Sequence, residues 1–256
     1  MKGIIRMVEH DFRNFFRYKW WLVGLISMNL ADLFVSALVY NTILKQSVHL
    51  AIGSYFNFFA PGLAVTGLFA SAFMIGREVN MERRREVHHY MLSLPMTRLE
   101  LAIGRVLSGG LRGMMYMSPL LLTCFIFVGF PTVGQLFLIL AVLFLLAVGI
   151  SGLSISIAVS TSSLEKFITA RGAVYYVLFF CSTVFYPLTV IQSAGPALAT
   201  LAEINPLSGA SDMIRSMLLP KFFSFSYLSI LYIAAFSAIF TFTAAFAYTR
   251  ILTRNA

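Results

Sequence analysis

Long apolar stretches separated by short polar segments dominate the sequence. A helix needs about 20 mostly apolar residues to cross the hydrocarbon core of a bilayer. Six stretches meet that requirement, at residues 20–44, 55–77, 98–128, 134–160, 167–190 and 223–248. Because a backbone inside a bilayer must satisfy its own hydrogen bonds, the pattern predicts an all-α fold, a polytopic membrane protein with six transmembrane helices. We expect residues 1–256 to form a single transmembrane domain.

The segment at residues 191–221, between the last two stretches, is moderately apolar but is interrupted by Pro196, Pro206 and Pro220. Each piece between these prolines is too short to cross a membrane. The sequence therefore predicts short re-entrant or interfacial helices here, on the external side of the membrane.

The first 19 residues have two distinct faces at the helical period. One face is apolar and the other is basic; the apolar face holds Ile5, Val8, Phe12, Phe15 and Phe16, and the basic face holds Arg6, Arg13 and Arg17. This pattern predicts an interfacial helix that lies in the plane of the membrane surface. An ordinary lead-in to the first span is the alternative.

The composition excludes a soluble globular protein, because 59% of the residues are hydrophobic and only 11% are charged. The formal net charge of +9 would suggest a nucleic-acid partner in a soluble protein. Here the basic residues flank the apolar stretches, so we expect membrane lipid and no nucleic acid as their partner. Lysine and arginine concentrate on the side of both termini and of the loop after the second span. This asymmetry predicts a multi-pass protein of the cell membrane with both termini in the cytoplasm.

The loop after the second span gathers much of the charge of the chain, in the stretch GREVNMERRREVHHYMLSLPMTRLELAIGR at residues 76–105. Within residues 81–94 the helical period separates an apolar face from a polar face. The apolar face consists of Val87, Tyr90, Met91 and Leu94, and the polar face of Glu82, Arg85, Glu86 and His89. The segment is typical of a short amphipathic helix outside the membrane.

A sharp turn is predicted after this helix. Pro95 cannot continue the hydrogen-bond ladder, and Thr97 with Glu100 has the spacing of a capping box for the next helix. Met96 and Leu101 stand at the positions of a hydrophobic staple, and Ser162 with Glu165 repeats the capping-box spacing before the fifth span. We interpret the loop at 78–97 as a docking element for a cytoplasmic partner, with the turn as a lever. A solvated loop with no partner is the alternative.

Three stretches resemble the membrane-spanning subunit of ABC exporters of the type-2 class. They are YFNFFAPGLAVTGLFASAF at 55–73, the loop and helix start at 77–107, and the run of SSLEKF, FYPL and INPLSGASDMIR between 162 and 215. Arg84-Arg85 departs from the family, which has a small residue or glycine there. The resemblance implies an ABC-2 permease that forms a dimer, here a homodimer, and binds an ABC ATPase subunit through the loop as a coupling helix. The expected function is export of an unidentified substrate, and an apolar lining between two permease copies would suit an amphipathic one.

The chain lacks the sequence of an ATPase. A phosphate-binding loop requires a lysine directly after a glycine, and none of the five lysines follows one. We expect ATP to be hydrolysed by a partner subunit, and no enzymatic activity, cofactor or catalytic residue in this chain. His88 and His89 are adjacent and point apart on a helix, so no metal site is expected either.

Two charges lie within the predicted spans, Asp32 in the first and Arg112 in the third. Charges inside a membrane are rare and mark function by default. Helix geometry places both at similar depth, which is compatible with an ion pair, with two residues of a substrate path, or with no contact.

Two other functions compete with ATP-driven export. An ion-coupled secondary transporter would show inverted repeats with broken helices in both halves, and the sequence lacks this symmetry. An intramembrane enzyme would require several catalytic residues at one depth, and only Asp32 and Arg112 are available.

Overall fold

The computed structural model describes residues 2–17, 55–85, 96–221, 223–224 and 226–254, together with isolated positions between 20 and 35. Within these residues the chain is helical and contains no strand, which confirms the all-α prediction. Nine helices with defined bounds occur in the described part. They are α1 (Lys2–Arg17), α2 (Tyr55–Arg84), α3 (Arg98–Val128), α4 (Val133–Ser160), α5 (Leu164–Phe180), α6 (Leu188–Ala194), α7 (Pro196–Ile204), α8 (Pro206–Leu218) and α9 (Tyr227–Arg254).

Four of the described helices, α2, α3, α4 and α9, are long and apolar enough to cross a membrane. Helix α5 occupies the predicted fifth span but has only 17 residues. Most of the predicted first span, at 20–44, lies outside the described residues, and its isolated described positions are helical.

The ends of the third and fourth predicted spans agree with α3 and α4 to within one residue. The prediction was wrong at the end of the second span, because α2 continues to Arg84 instead of ending at 77. Residues 81–84 of the predicted amphipathic helix therefore belong to α2. The extension is held by α4, where Asn80 Nδ2 donates to the Ala158 carbonyl oxygen at 3.2 Å and Arg83 Nη1 to that of Val159 at 2.8 Å.

The predicted fifth span, at 167–190, was also wrong at both ends. Helix α5 begins at Leu164 and ends at Phe180, and residues 188–194 form the separate helix α6. Asn205 explains the break, because its Nδ2 donates to the carbonyl oxygens of Leu178 and Cys181, both at 2.8 Å. The last predicted span, at 223–248, corresponds to α9, which starts later, at Tyr227, and continues further, to Arg254.

The proline-rich segment forms the three short helices α6, α7 and α8. Pro196 and Pro206 each occupy the first turn of a helix, where the missing N–H costs no hydrogen bond. Asn205 also caps α8, since its Oδ1 accepts from the Leu207 N–H at 3.0 Å. The division into short helices was predicted from these prolines.

The predicted capping box at the start of α3 is confirmed. Thr97 Oγ1 accepts from the Glu100 N–H at 3.2 Å, and Glu100 Oε2 accepts from the Thr97 N–H at 3.2 Å. The cap of α5 is one residue later than predicted. Ser163, rather than Ser162, accepts from the backbone N–H of Lys166 at 3.2 Å.

Helix α2 forms the core of the bundle, and 89% of its most apolar stretch is buried. Small residues bring its neighbours close: a Cβ at Gly76 would lie 2.2 Å from Ser154 Oγ of α4, and one at Gly109 of α3 would lie 2.2 Å from Ser151 Oγ. Ser154 Oγ donates to the Phe73 carbonyl oxygen across the same contact. Close backbone approach with interhelical serine bonds is a common means of packing membrane helices.

Candidate functional site

Five charged residues meet at one end of the bundle, where α1 crosses the ends of α2 and α3. We call this the charged cluster, and it consists of Asp11, Glu78, Glu82, Arg105 and Arg112. Arg105 is at its centre with 1% of its side chain exposed. Its Nη1 donates to Asp11 Oδ1 at 2.8 Å, and its Nη2 donates to Glu82 Oε2 at 2.5 Å. One guanidinium group thus joins three helices.

Arg112 makes a second connection of the same kind. Its Nη1 donates to Glu78 Oε1 at 2.5 Å, and its Nη2 donates to the backbone oxygen of Asp11 at 2.9 Å. The two arginines are two turns apart on one face of α3, and the two glutamates are one turn apart on α2. Because α2 and α3 run in opposite directions, the ion pairs lie one above the other, with α1 across both.

Asp11 is buried, with 1% of its side chain exposed. Burial alone would raise the pKa of its carboxyl group. The Arg105 guanidinium and hydrogen bonds from His10 and Ser108 outweigh that effect and hold the pKa below its usual range. The Ser108 hydroxyl donates to Asp11 Oδ2 at 2.7 Å. The carboxylate is therefore ionised at neutral pH, and it accepts hydrogen bonds from Arg105 and Ser108 of α3.

His10 lies at the solvent edge of the cluster, 3.4 Å from Asp11 Oδ1 through its Nδ1. The hydrogen bond with Asp11 raises the pKa of the imidazole above its usual value, although partial burial opposes the shift. Three carboxylates in the cluster face two guanidinium groups, so a protonated His10 moves the local charge towards balance.

Helix α1 packs against α3 through a third face that the sequence analysis did not identify. Gly3, Met7 and Asp11 are buried on this face, and a Cβ at Gly104 of α3 would lie 2.9 Å from Met7 Cβ. Of the predicted apolar face, Ile5 is 66% exposed, Val8 and Phe12 are half-buried, and the side chains of Phe15 and Phe16 lie outside the described part of the chain. Helix α1 is therefore fixed to the bundle on one side and presents apolar surface on another.

The last turn of α2 is connected to three elements of the bundle. The charged cluster joins it to α1 and α3, and Asn80 and Arg83 join it to the end of α4. Helix α9 packs against α3, and its Tyr248 is buried. The segment that follows Arg84 therefore starts from a turn that is held by its neighbours.

The predicted docking and coupling residues fall partly within the described chain. Glu82 is in α2 with 24% of its side chain exposed and is held by Arg105. Arg85 is exposed in the turn that ends α2. The other predicted docking residues, Glu86, Val87, His89, Tyr90, Met91 and Leu94, and also Pro95, lie outside the described residues.

Of the predicted pair of Asp32 and Arg112, the structure describes only Arg112. Asp32 lies outside the described residues, so its contact with Arg112 stays a prediction. Arg112 is buried, with 2% of its side chain exposed, and is level with α1 and the end of α2. It belongs to the charged layer at this end of the bundle.

Sequence reasoning missed Asp11, Glu78 and Arg105 as partners, although two signals were present. Glu78 and Glu82 are spaced four apart, and Arg105 and Arg112 are spaced seven apart, so each pair shares one helical face. Two acids on one helix and two arginines on the next predict an interhelical pairing. The position of Asp11 carried no such signal, because it depends on how α1 crosses the bundle.

The opposite end of α2 is held by Arg215 of α8, which is fully buried. Its Nε donates to the Phe58 carbonyl oxygen at 2.9 Å, and Nη1 and Nη2 donate to those of Thr183 at 2.8 Å and Val184 at 2.9 Å. Asp212 neutralises it through Oδ1 at 2.7 Å, and the Phe58 ring lies 3.8 Å from the guanidinium carbon. Gly62 allows this approach, because a Cβ there would lie 2.7 Å from the Val184 oxygen.

Buried arginines hold both ends of α2. At the α1 end, Arg105 and Arg112 join α2 to α1 and α3. At the other end, Arg215 joins α2 to α8. Breaking a fully buried ion pair such as that of Asp11 and Arg105 costs about 3–5 kcal/mol. A rod that is fixed at both ends can carry a displacement from one side of a membrane to the other.

The family profile of ABC-2 type transporters matches residues 4–219, which include the charged cluster and Arg215. The chain belongs to the ABC-2 type transporter family. It is thus the transmembrane component of an ABC transporter, and membership implies that this permease works with an ABC ATPase subunit. A comparison with curated proteins finds no match.

Proposed function

We propose that this ABC-2 permease exports an amphipathic substrate from the cytoplasm, as a homodimer powered by a separate ABC ATPase. The observation that carries the proposal is the charged cluster, which ties the start of the segment after α2 to α1 and α3. A loop without a partner requires no such anchorage. A segment that receives force from an ATPase does, because a loose base would absorb the motion.

The orientation follows from the distribution of basic residues. We place the α1 end of the bundle in the cytoplasm, together with both termini and the segment at 85–97. The short helices α6–α8 are then at the external side of the cell membrane. Helix α1 would lie at the cytoplasmic surface, with the exposed Ile5 side towards lipid.

Docking is assigned to the apolar strip of the segment after α2. Val87, Tyr90, Met91 and Leu94 share one face at the helical period, and an amphipathic helix outside a bilayer has to bury such a face. A groove on the ATPase is a suitable site. Glu82 contributes indirectly, since Arg105 holds its carboxylate within the permease.

Two routes would carry motion from the docked segment into the bundle. The first is α2 itself, through Glu82 and Arg105. The second is the turn at 95–101, where Thr97 and Glu100 fix the start of α3. Both routes end on α3, and α2 continues to the Arg215 junction at the external side. ATP hydrolysis is then coupled to movement of the helices α6–α8.

The test is co-purification of the ATPase subunit with tagged permease. Tyr90→Asp combined with Met91→Asp places two charges in the apolar strip, so we expect the ATPase to be lost while the permease remains folded. Thr97→Ala with Glu100→Ala should leave the ATPase bound. Tyr227→Asp, at an exposed position at the opposite end of the bundle, is the control for a new carboxylate. Unchanged co-purification with the variant that carries both Asp substitutions would contradict the proposed docking.

A further inference from the structure

Two arginines converge on the side of the bundle where α2 packs against α5. Arg77 of α2 is exposed and Arg171 of α5 is half-buried, on two helices that pack against each other. Within the described part of the chain, neither forms a hydrogen bond or an ion pair. This distinguishes them from Arg105, Arg112 and Arg215, each of which is neutralised by a carboxylate.

Helix direction explains why these side chains approach each other. Side chains tilt towards the N-terminus of their own helix, and α2 and α5 are antiparallel. Arg77 therefore tilts away from the α1 end, and Arg171 tilts towards it. Two like charges brought together in this way raise the free energy of the fold unless an anion lies between them.

Aromatic contacts fix the depth of the site. The rings of Phe73 and Phe167 pack with centroids 6.1 Å apart, and each of these residues is one turn from one of the arginines. Phe167 is three residues from the start of α5, or about 5 Å along its axis. Glu165 and Lys166 are exposed at that start. The guanidinium groups thus converge near the boundary between the headgroup and hydrocarbon layers.

The surface beside the arginines is suited to acyl chains. Tyr175 of α5, one turn further from the α1 end than Arg171 and on the same helical face, is 37% exposed. A guanidinium group binds phosphate oxygens in a bidentate manner, and basic sites between membrane helices hold lipid headgroups. We propose that Arg77 and Arg171 bind the phosphate group of an anionic phospholipid in the leaflet at the α1 end of the bundle.

The test is native mass spectrometry of the full-length permease in detergent, titrated with phosphatidylglycerol or phosphatidylcholine. The net negative headgroup should bind more tightly, because two cations repel the choline ammonium. Arg77→Gln and Arg171→Gln should each weaken phosphatidylglycerol binding about fivefold, and the double variant should lose the preference over phosphatidylcholine. The double replacement by lysine keeps both charges and should keep the preference.

The control is Arg84→Gln, which removes one exposed charge from the end of the same helix. It should bind phosphatidylglycerol like the natural chain. Equal losses in Arg84→Gln and Arg77→Gln would show a diffuse effect of basic surface, and no loss in the double glutamine variant would show a different site. Each of these results overturns the proposal. Displacement of the lipid by inorganic phosphate would overturn the lipid as ligand and leave a site for a free anion.

Discussion

At the scale of single residues, buried arginines determine how the helices of this permease are connected. Arg105 and Arg112 each bind two partners on different elements, one of them on α1. Arginine suits this role because its planar guanidinium has donors in fixed directions, whereas the ammonium group of lysine is a point charge. The carboxylate partner of Arg112 is Glu78.

We expect Glu78 and Arg112 to be energetically coupled. Glu78→Gln and Arg112→Gln should each lower the stability of the permease, and the double variant should lose less than the sum of the two. The coupling should be about 1 kcal/mol, because Glu78 is 42% exposed and solvent screens the pair. Thermal unfolding in detergent, followed by a thiol-reactive dye at the buried Cys124, measures it.

The same comparison of single and double variants, made with Asp32→Asn and Arg112→Gln, tests the pairing of Asp32 and Arg112 that the sequence suggests. A loss smaller than the sum for Asp32 and Arg112 would show that Asp32 shares the guanidinium group. Additive losses would show that Asp32 and Arg112 are not in contact. Additive losses for Glu78 and Arg112 would contradict the ion pair described here.

At the scale of helices, small residues decide how closely α2, α3 and α4 approach. Gly76 lies against Ser154 of α4, where an added Cβ would be 2.2 Å from the hydroxyl and 2.5 Å from the backbone oxygen. The backbone atom cannot rotate away, so the helices have to separate. Gly134, near the start of α4, has nothing within 4 Å of such a Cβ.

We therefore expect opposite results from the same substitution at these two glycines. Gly76→Ala should lower stability by about 1–3 kcal/mol through overpacking. Gly134→Ala should be neutral or raise stability, by up to about 1 kcal/mol, because alanine favours the helix. The midpoint of thermal unfolding compares them. A Gly76→Ala permease as stable as the natural chain would contradict the close contact of α2 and α4.

The helix ends that the sequence predicted correctly are those that residues in the same turn determine. Thr97 and Glu100 set the start of α3, and Pro196 and Pro206 set the starts of α7 and α8, because caps and prolines act on their own turn. The ends of α2 and α5 were mispredicted, because distant residues determine them. Asn80 and Arg83 extend α2 by donating to carbonyl oxygens of α4, and Asn205, between α7 and α8, donates to the carbonyl oxygens at the end of α5.

The candidate site was predictable in location but not in its contacts. The sequence indicated residues 78–100 because their charge and capping pattern is local. The contact between Asp11 and Arg105 joins residues that are 94 positions apart. It depends on how α1 crosses α3, which no periodicity in the sequence reveals. Arg215 was missed for the same reason, since three of its partners are backbone carbonyl oxygens that any sequence supplies.

At the scale of the whole molecule, α2 links two junctions that we place on opposite sides of the membrane. Arg85 is exposed after the last turn of α2, and Ser193 is exposed on α6 at the other end. In a variant without its native cysteines, we expect Arg85→Cys to react with an impermeant thiol reagent from the cytoplasmic side only. Ser193→Cys should react from the external side only. Labelling of both from outside intact cells would contradict the orientation.

We expect the charged cluster to transmit ATP-driven motion to the external end of the bundle. The most direct measurement is the distance between spin labels at Ser193→Cys in the two copies of the permease, bound to its ATPase, before and after ATP is added. Arg105→Lys keeps the charge but cannot hold Asp11 and Glu82 as a planar fork does. Arg98→Lys, on the same helix outside the cluster, is the control.

ATP should change the distance between the labels in the natural chain and in Arg98→Lys. In Arg105→Lys the ATPase should remain bound and hydrolyse ATP, but the distance between the labels should no longer respond. A full ATP-driven change of distance in Arg105→Lys would show that the charged cluster does not transmit the motion.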